Sequence, residues 1–320
     1  MQAIEIWAEN QPVNHLEVLG SLIRAELSQE RVLRLDLSYL GMRVDEWWMM
    51  RDPSLTEKAL HSRLKLLVLE VLRPADIELV RNLGRKSHRV AALLMERAFS
   101  IPEKALARLF HEVFAEIAGI TDIQYPYEDH KELFPKQVDG KAAADWGRGM
   151  GAIRPHSDDL YEERAINAMC LTVCRDTSST PTWFWSISDV VSCLTDEELG
   201  VLSVSEAIYA SGRNVEGLLM EAKKPVLRID SEEGIGLRLD FRVDAVGPRM
   251  RMVDRRGDRV LEKVRRHLGK IKPISSHPST GSIGLLSNYK VLHGRSALNA
   301  ALLTDGESSR ILFRSKGIKV

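Results

Sequence analysis

The feature that most constrains the fold of this chain is a change of hydrophobic pattern near residue 119. Before this point, apolar residues recur at the spacing of amphipathic helices. After it, short apolar runs alternate with clusters of Gly, Pro, Asp and Ser, and the runs are rich in β-branched and aromatic residues. Runs at residues 168–174, 182–188 and 309–315 are typical of an antiparallel sandwich or barrel. We therefore expect a helical region followed by a β core.

The organisation of the chain follows from the same pattern. Helices are predicted over residues 15–30, 53–73, 75–83 and 102–118, and helical inserts in the β core around residues 196–209 and 254–268. No linker rich in Pro, Gly or Ser divides the chain. We therefore expect a single domain over residues 1–320, with a helical region over about 1–118 and the β core over about 119–320.

The composition is that of a globular protein. Hydrophobic residues make up 44% and charged residues 28% of the chain, and 45 Lys+Arg balance 45 Asp+Glu. This balance gives no electrostatic footprint for a nucleic acid, and no apolar run reaches the roughly 18 residues that span a membrane. The N-terminal sequence lacks the plan of a signal peptide, and three cysteines are too few for a disulfide framework. We expect a cytoplasmic protein without nucleic-acid or membrane partners.

A metal site is predicted in the β half. His156 and Asp158 are two residues apart, so both side chains face the same way on an extended strand. His293 lies at the end of another apolar run. Two imidazoles and one carboxylate on one side of a metal form the facial triad of non-haem Fe(II) oxygenases, which leaves three coordination positions open.

Two arginines near the end of the chain extend this pattern. Arg310 and Arg314 are four residues apart within an apolar run, so both are expected on one face of a strand. A buried guanidinium is costly unless a carboxylate meets it. The pattern predicts two carboxylates bound beside the metal, one from a co-substrate and one from the substrate.

Three motifs together carry a resemblance to a known family. H-x-D at residues 156–158, N-x-x-x-x-H-G-R-S-A at residues 288–297 and R-x-L-x-R at residues 310–314 resemble the clavaminate synthase-like branch of the Fe(II)/2-oxoglutarate-dependent dioxygenases. That branch includes asparagine oxygenase and the arginine hydroxylase of viomycin biosynthesis. The resemblance implies a mainly β fold with α: a distorted jelly roll (double-stranded β-helix) with an N-terminal helical region and helical inserts.

The resemblance also implies an activity and its site. Fe(II), 2-oxoglutarate and O2 would hydroxylate an unactivated carbon of an amino acid and yield succinate and CO2. His156, Asp158 and His293 would bind iron. Arg310 would bind the distal carboxylate of 2-oxoglutarate with help from Thr182. The best-known members carry Glu where this chain has Asp158. The side chain of Asp is shorter than that of Glu, but its carboxylate serves iron equally well.

Substrate contacts are implied less directly. Arg314 would bind the α-carboxylate of the substrate, and Glu128 lies near the position where relatives contact the amino group. Asp240, with Asp244 as its neighbour, fits the late-strand acid that holds a polar or cationic side chain. The expected substrate is a small molecule, a free L-amino acid of the arginine, citrulline or lysine type.

Two other classes of protein stay open. A zinc-dependent amidohydrolase or peptidase also uses H-x-D and a distant His, and Glu232 and Glu233 could imitate its acidic pair. The second is a non-catalytic jelly-roll binding protein. The first predicts zinc-dependent hydrolysis without oxygen, and the second predicts no succinate formation with any amino acid.

Overall fold

The structure is a computed structural model, and it describes residues 13–122, 132–133, 151–163, 166–211, 219–244, 247–298 and 310–319. The first helices are α1 Val13–Leu27, α2 Ser38–Met50, α3 Glu57–Val71, α4 Pro74–Arg81 and α5 Lys104–Ile117. The later helices are α6 Ile187–Val191, α7 Asp196–Val204 and α8 Arg255–Leu268. Within these ranges, no helix combines the length and apolar character needed to cross a membrane.

A seven-stranded sheet forms one half of the β core. Its strands, in spatial order, are β1 Arg31–Asp36, β2 Val90–Glu96, β16 Ile283–Ser287, β6 Ala168–Asp176, β18 Arg310–Lys319 and β3 Ile120–Asp122, with β4 Glu132–Leu133 also paired to β18. β1 and β2 run parallel, and the other pairs are antiparallel. Helices α2 to α5 cover one face of this sheet with a continuous apolar core.

A four-stranded sheet forms the other half, with the order β15 Ile274–Ser276, β7 Thr182–Ser186, β17 Val291–Arg295 and β5 Ile153–His156. Phe184 and Val291 of this sheet pack against Met169 and Leu286 of the seven-stranded sheet, so the two sheets face each other. Because side chains alternate along a strand, His293, two residues after Val291, also points into the space between the sheets.

Smaller elements close the molecule behind the four-stranded sheet. They are a three-stranded sheet of β14 Met250–Met252, β8 Glu206–Ala210 and β9 Glu221–Pro225, and the hairpins β10 Leu227–Asp230 with β11 Gly234–Leu237 and β12 Val243–Asp244 with β13 Gly247–Pro248. Residues of α1, α6, α7 and α8 pack with them and with the outward-facing Trp185 and Leu292 in a second apolar core.

Five of the six predicted helices are confirmed with small shifts of their ends. The insert predicted around residues 196–209 is helical only to Val204, and the rest of it forms strand β8. Three elements of the first part were missed. β2 is a continuous apolar run, and periodicity cannot distinguish a buried strand of this kind from a helix. Helix α2 begins after Leu37, which makes no side-chain cap, so its start carries no signal in the sequence. Because β1 and β2 belong to the same sheet as β6, the first part of the chain also contributes to the β core.

Candidate metal centre

His156, Asp158 and His293 lie together where β5 meets β17. His156 and His293 are paired across the two strands, with ring centroids 4.1 Å apart. Asp158 Oδ1 lies 3.4 Å from His156 Nε2, and its Oδ2 lies 3.7 Å from His293 Nε2. One ligand atom from each residue lies within 4.8 Å of the others, and no other such group of His, Cys, Asp and Glu occurs among the described residues.

Backbone contacts hold these side chains in place. The Arg154 carbonyl oxygen lies 2.9 Å from His156 Nδ1, which leaves Nε2 facing the other two ligands. Asn288 accepts a hydrogen bond from the Asp158 amide at 2.7 Å and donates one to the Asp158 carbonyl oxygen at 2.9 Å. Asn288 therefore ties the turn between β16 and β17 to the segment that carries the carboxylate.

Gly294, directly after His293, allows β5 to approach closely. A Cβ at this position would lie 2.5 Å from the Ile153 carbonyl oxygen, closer than real side chains come. The pairing of β5 with β17 is also irregular between His293 and Arg295. Close packing of β5 therefore explains the glycine of the H-G-R motif. Without a side chain at Gly294, the two strands come close enough for His156 and His293 to lie side by side.

Burial and neighbouring charges control protonation here. Burial opposes the charge of Asp158, but the hydrogen bond with His156 and the charges of His293 and Lys316 outweigh it and hold the pKa of the carboxyl well below its usual range. Burial, with the charge of His156, lowers the pKa of His293 well below its usual value.

The residues fit a divalent metal ion. Asp158 Oδ2 is buried and has no hydrogen-bond partner among the described residues, which is costly for a carboxylate unless a cation binds there. Metal ligands must be ionised carboxylates and neutral imidazoles, the forms that the pKa shifts of Asp158 and His293 favour. Two nitrogens and one oxygen suit Fe(II) in an open site.

Arg310 lies at a second cluster of charges, at the start of β18. Its Nη2 donates to Thr182 Oγ1 at 2.8 Å, and its Nε lies 3.3 Å from Oδ2 of Asp176, its cross-strand partner on β6. Arg295 is buried nearby. Its burial and the like charge of Arg310 lower the pKa of Arg295 to about 10. This cluster therefore contains two buried guanidinium groups and one protein carboxylate.

Arg314 lies on the same strand but beside the metal ligands. Its Nη1 is 3.9 Å from Asp158 Oδ2, and its side chain is 19% exposed against 5% for Arg310. The chain itself supplies Asp176 beside Arg310 and Asp158 beside Arg314, two acids that the sequence pattern did not indicate. A bound carboxylate at either arginine would share the guanidinium with one of these acids. The assignment of the arginines to 2-oxoglutarate and substrate stays a prediction.

Asp240 is close to the metal centre but already has a cationic partner. Its oxygens accept hydrogen bonds from Arg242 Nε at 3.0 Å and Nη2 at 2.7 Å, and all of these groups are buried. Burial opposes the charge of Arg242, but Asp240 and Asp158 outweigh it and raise the pKa of the guanidinium. A cationic substrate head group at Asp240 would have to compete with Arg242.

Other predicted residues lie elsewhere. Glu128 falls outside the described residues, and for Asp244 only its place in β12 is described. Glu233 forms an ion pair with Arg228 at the turn between β10 and β11, and Glu232 is exposed there. The acidic pair expected of a zinc hydrolase is therefore not part of the metal-ligand group.

Sequence reasoning missed three residues that shape the site. Arg242 had a detectable signal, since it lies two residues after Asp240 and shares its side of an extended segment. Asn288 stands at the start of the N-x-x-x-x-H motif, but the motif alone does not show that it contacts Asp158. Asp176 had no signal, because only strand register pairs it with Arg310.

The fold is similar to that of solved oxygenase structures. Asparagine oxygenase in complex with Fe(II), 2S,3S-3-hydroxyasparagine and succinate superposes with a TM-score of 0.67 at 14% identity, over 90% of this chain and 93% of that chain. The non-heme iron oxygenase OrfP with Fe and alpha-ketoglutaric acid gives a TM-score of 0.65 at 14% identity, over 90% of this chain and 95% of that chain.

An OrfP mutant in complex with (3S)-hydroxy-L-Arg gives a TM-score of 0.64 at 15% identity, over 90% of this chain and 94% of that chain. No protein-family model matches the sequence, and neither does any curated protein. The likeness confirms the predicted distorted jelly roll, with the fold of the branch that the sequence motifs resemble.

Proposed function

We propose that this chain is an Fe(II)/2-oxoglutarate-dependent dioxygenase that hydroxylates an amino acid. The observation that carries the proposal is the arrangement of His156, Asp158 and His293 between the sheets of a jelly roll, with inward-facing arginines beside them. The same fold holds iron, alpha-ketoglutaric acid, succinate or a hydroxylated amino acid in the oxygenases that it resembles.

Part of the same proposal is a cytoplasmic location, which three cysteines present as thiols support.

The protein supplies ligands, orientation and charge. His156, Asp158 and His293 would hold Fe(II), and Arg310 would bind the distal carboxylate of 2-oxoglutarate while Thr182 orients its guanidinium. Iron with 2-oxoglutarate and O2 supplies the oxidation, in which one oxygen atom enters a substrate C–H bond and the other enters succinate as CO2 is released.

Substrate orientation would depend on Arg314. Its guanidinium lies beside Asp158, so an α-carboxylate bound to it is held next to the metal. Fixing one end of the amino acid in this way limits which carbon can lie near the metal.

The decisive experiment is a turnover assay with a panel of L-amino acids. The protein is incubated with Fe(II), 2-oxoglutarate and O2, and succinate and substrate mass are both measured. We expect one amino acid, at least, to gain one oxygen atom with one succinate formed per product. The matched control replaces O2 with nitrogen, which should stop both signals.

Two outcomes would contradict the proposal. Hydrolysis of an amide with Zn(II) and without O2 would instead support a metal-dependent hydrolase. Binding of a ligand with no succinate formation and no dependence on His156 would support a non-catalytic jelly-roll protein.

A further inference from the structure

Arg242 presents one edge of its guanidinium to the metal centre. Its Nε and Nη2 are used by Asp240, at 3.0 and 2.7 Å. The third nitrogen, Nη1, is outside this pair and lies 3.9 Å from Asp158 Oδ1. Asp158 forms an ion pair with this edge, and the charge of Asp159 also acts on Arg242. Arg242 thus adds a second guanidinium, besides that of Arg314, next to the metal ligands.

The position of Arg242 is fixed relative to the metal ligands. Asp240 forms an isolated β-bridge with His156, the Ser157 amide donates to the Leu239 carbonyl oxygen at 2.9 Å, and the Phe241 amide donates to Pro155 at 3.0 Å. The backbone amide of Arg242 also donates to Asp240 Oδ1 at 3.0 Å. These contacts fix the Arg242 side chain beside the metal ligands before a substrate binds. Little conformational entropy of this side chain is therefore lost on binding.

Arg314 approaches the same carboxylate from its other oxygen, with Nη1 3.9 Å from Asp158 Oδ2. The two oxygens of one carboxylate are about 2 Å apart, so the Nη1 atoms of Arg242 and Arg314 are at most about 10 Å apart. The two nitrogens are therefore close enough for one small molecule to contact both. An amino acid with two carboxylates could accept from both only if it is short.

The chemistry of this edge selects against cations. A guanidinium has only donors, so the Nη1 edge of Arg242 needs an acceptor. Ammonium and guanidinium head groups also have only donors, and the oxygens of Asp240 are already hydrogen-bonded. A carboxylate accepts from Nη1 with a charge-assisted hydrogen bond, which is stronger than the bond to a neutral amide oxygen.

We propose that the substrate is a short dicarboxylic amino acid, with its α-carboxylate on Arg314 and its side-chain carboxylate on Nη1 of Arg242. Asp240 is then a positioning residue that orients Arg242. This inference rests on the proposed function and names the substrate class of the same site. It replaces the expectation of a cationic head group at Asp240.

The first test measures substrate choice. L-aspartate, L-glutamate, L-asparagine, L-arginine, L-citrulline and L-lysine are compared by succinate formation and by anaerobic calorimetry on the protein loaded with Fe(II) and 2-oxoglutarate. We expect L-aspartate or L-glutamate to bind at least about 10-fold more tightly than L-asparagine. Turnover of L-arginine, L-citrulline or L-lysine, with no binding of either acid, would overturn the inference and leave the proposed function standing.

The second test uses a double variant, because Arg242→Gln alone would leave Asp240 buried and unpaired. Arg242→Gln with Asp240→Asn neutralises both partners and keeps hydrogen-bonding groups in place. We expect this variant to bind the dicarboxylic amino acid about 30-fold or more weakly, with unchanged affinity for Fe(II) and 2-oxoglutarate. The matched control is Arg228→Gln with Glu233→Gln, which neutralises a partly buried pair at the β10–β11 turn and should change none of the three affinities.

The outcomes distinguish two roles for Arg242 and two levels of failure. Weaker Fe(II) binding with unchanged preference for the acid would mean that Arg242 positions Asp158, and the inference would be wrong. Binding of no amino acid, together with no succinate from any of them, would reject the proposed function itself.

Discussion

Two clusters of charge each combine two guanidinium groups with protein carboxylates, two carboxylates at the metal end and one at the other. At the metal end, Asp158 lies between Arg242 and Arg314. At the other end, Asp176 lies beside Arg310, and its charge also acts on Arg295. The charged groups are of the same types, yet the two ends are suited to different ligands.

The difference comes from the neighbours of each carboxylate. Asp176 Oδ1 accepts hydrogen bonds from the Ser178 amide and hydroxyl, at 3.0 and 2.6 Å, and no imidazole is among its contacts in the described residues. Asp158 instead lies between two imidazoles. Only the Asp158 end therefore has the nitrogen and oxygen ligand atoms of a metal site. The Asp176 end has guanidinium and hydroxyl donors, which suit an anion.

The largest effect should come from the metal ligands. We expect His156→Ala, Asp158→Ala and His293→Ala each to abolish substrate-dependent succinate formation and to weaken Fe(II) binding, because each variant leaves only two ligands. His277→Ala, at an exposed position, is the control and should behave like the wild type. Retained turnover in any one variant would remove that residue from the triad.

A second prediction tests the Asp176 end. Asp176→Asn removes the carboxylate next to two buried guanidinium groups, so we expect the free energy of unfolding to fall by about 3 kcal/mol in chemical denaturation. Adding 2-oxoglutarate should recover part of this loss, since its distal carboxylate would take the place of the missing charge. An unfolding free energy equal to that of the wild type would show that Asp176 does not balance these arginines.

The third prediction separates the two arginines of β18. Arg310→Ala should raise the KM for 2-oxoglutarate, and Arg314→Ala should raise the KM for the amino acid, each by about 30-fold, a loss of about 2 kcal/mol. Steady-state kinetics with each substrate varied in turn provides the measurement. Exchanged effects would mean that the assignments of the two ends must be reversed.

The smallest effect is expected for Asn288, which contacts the backbone of Asp158 and not the metal. Asn288→Ala removes the hydrogen bonds between the β16–β17 turn and the ligand segment, so Fe(II) affinity should fall by about 10-fold. A titration with Fe(II) under anaerobic conditions measures this. If stability fell while Fe(II) affinity stayed constant, Asn288 would support the fold without orienting the ligand.

Much of the site could be predicted from short-range patterns. H-x-D on an extended segment places His156 and Asp158 on one side, and the alternation of side chains does the same for Arg310 and Arg314. The strand-length runs also predicted the β core. Helix α2 and strand β2 could not be predicted, because the first has no side-chain cap at its start and the second is apolar from Val90 to Met95.

The sequence by itself determined which donors are available and which of them share a face, because those properties depend on residues only a few positions apart. The tertiary structure alone decided how the charges are paired. Asp176 meets Arg310 through the register of β6 with β18, and Arg242 reaches Asp158 because the segment around Asp240 is bridged to His156. A buried charge is balanced by whichever groups the fold brings within a few ångströms, and distance along the chain does not reveal that partner.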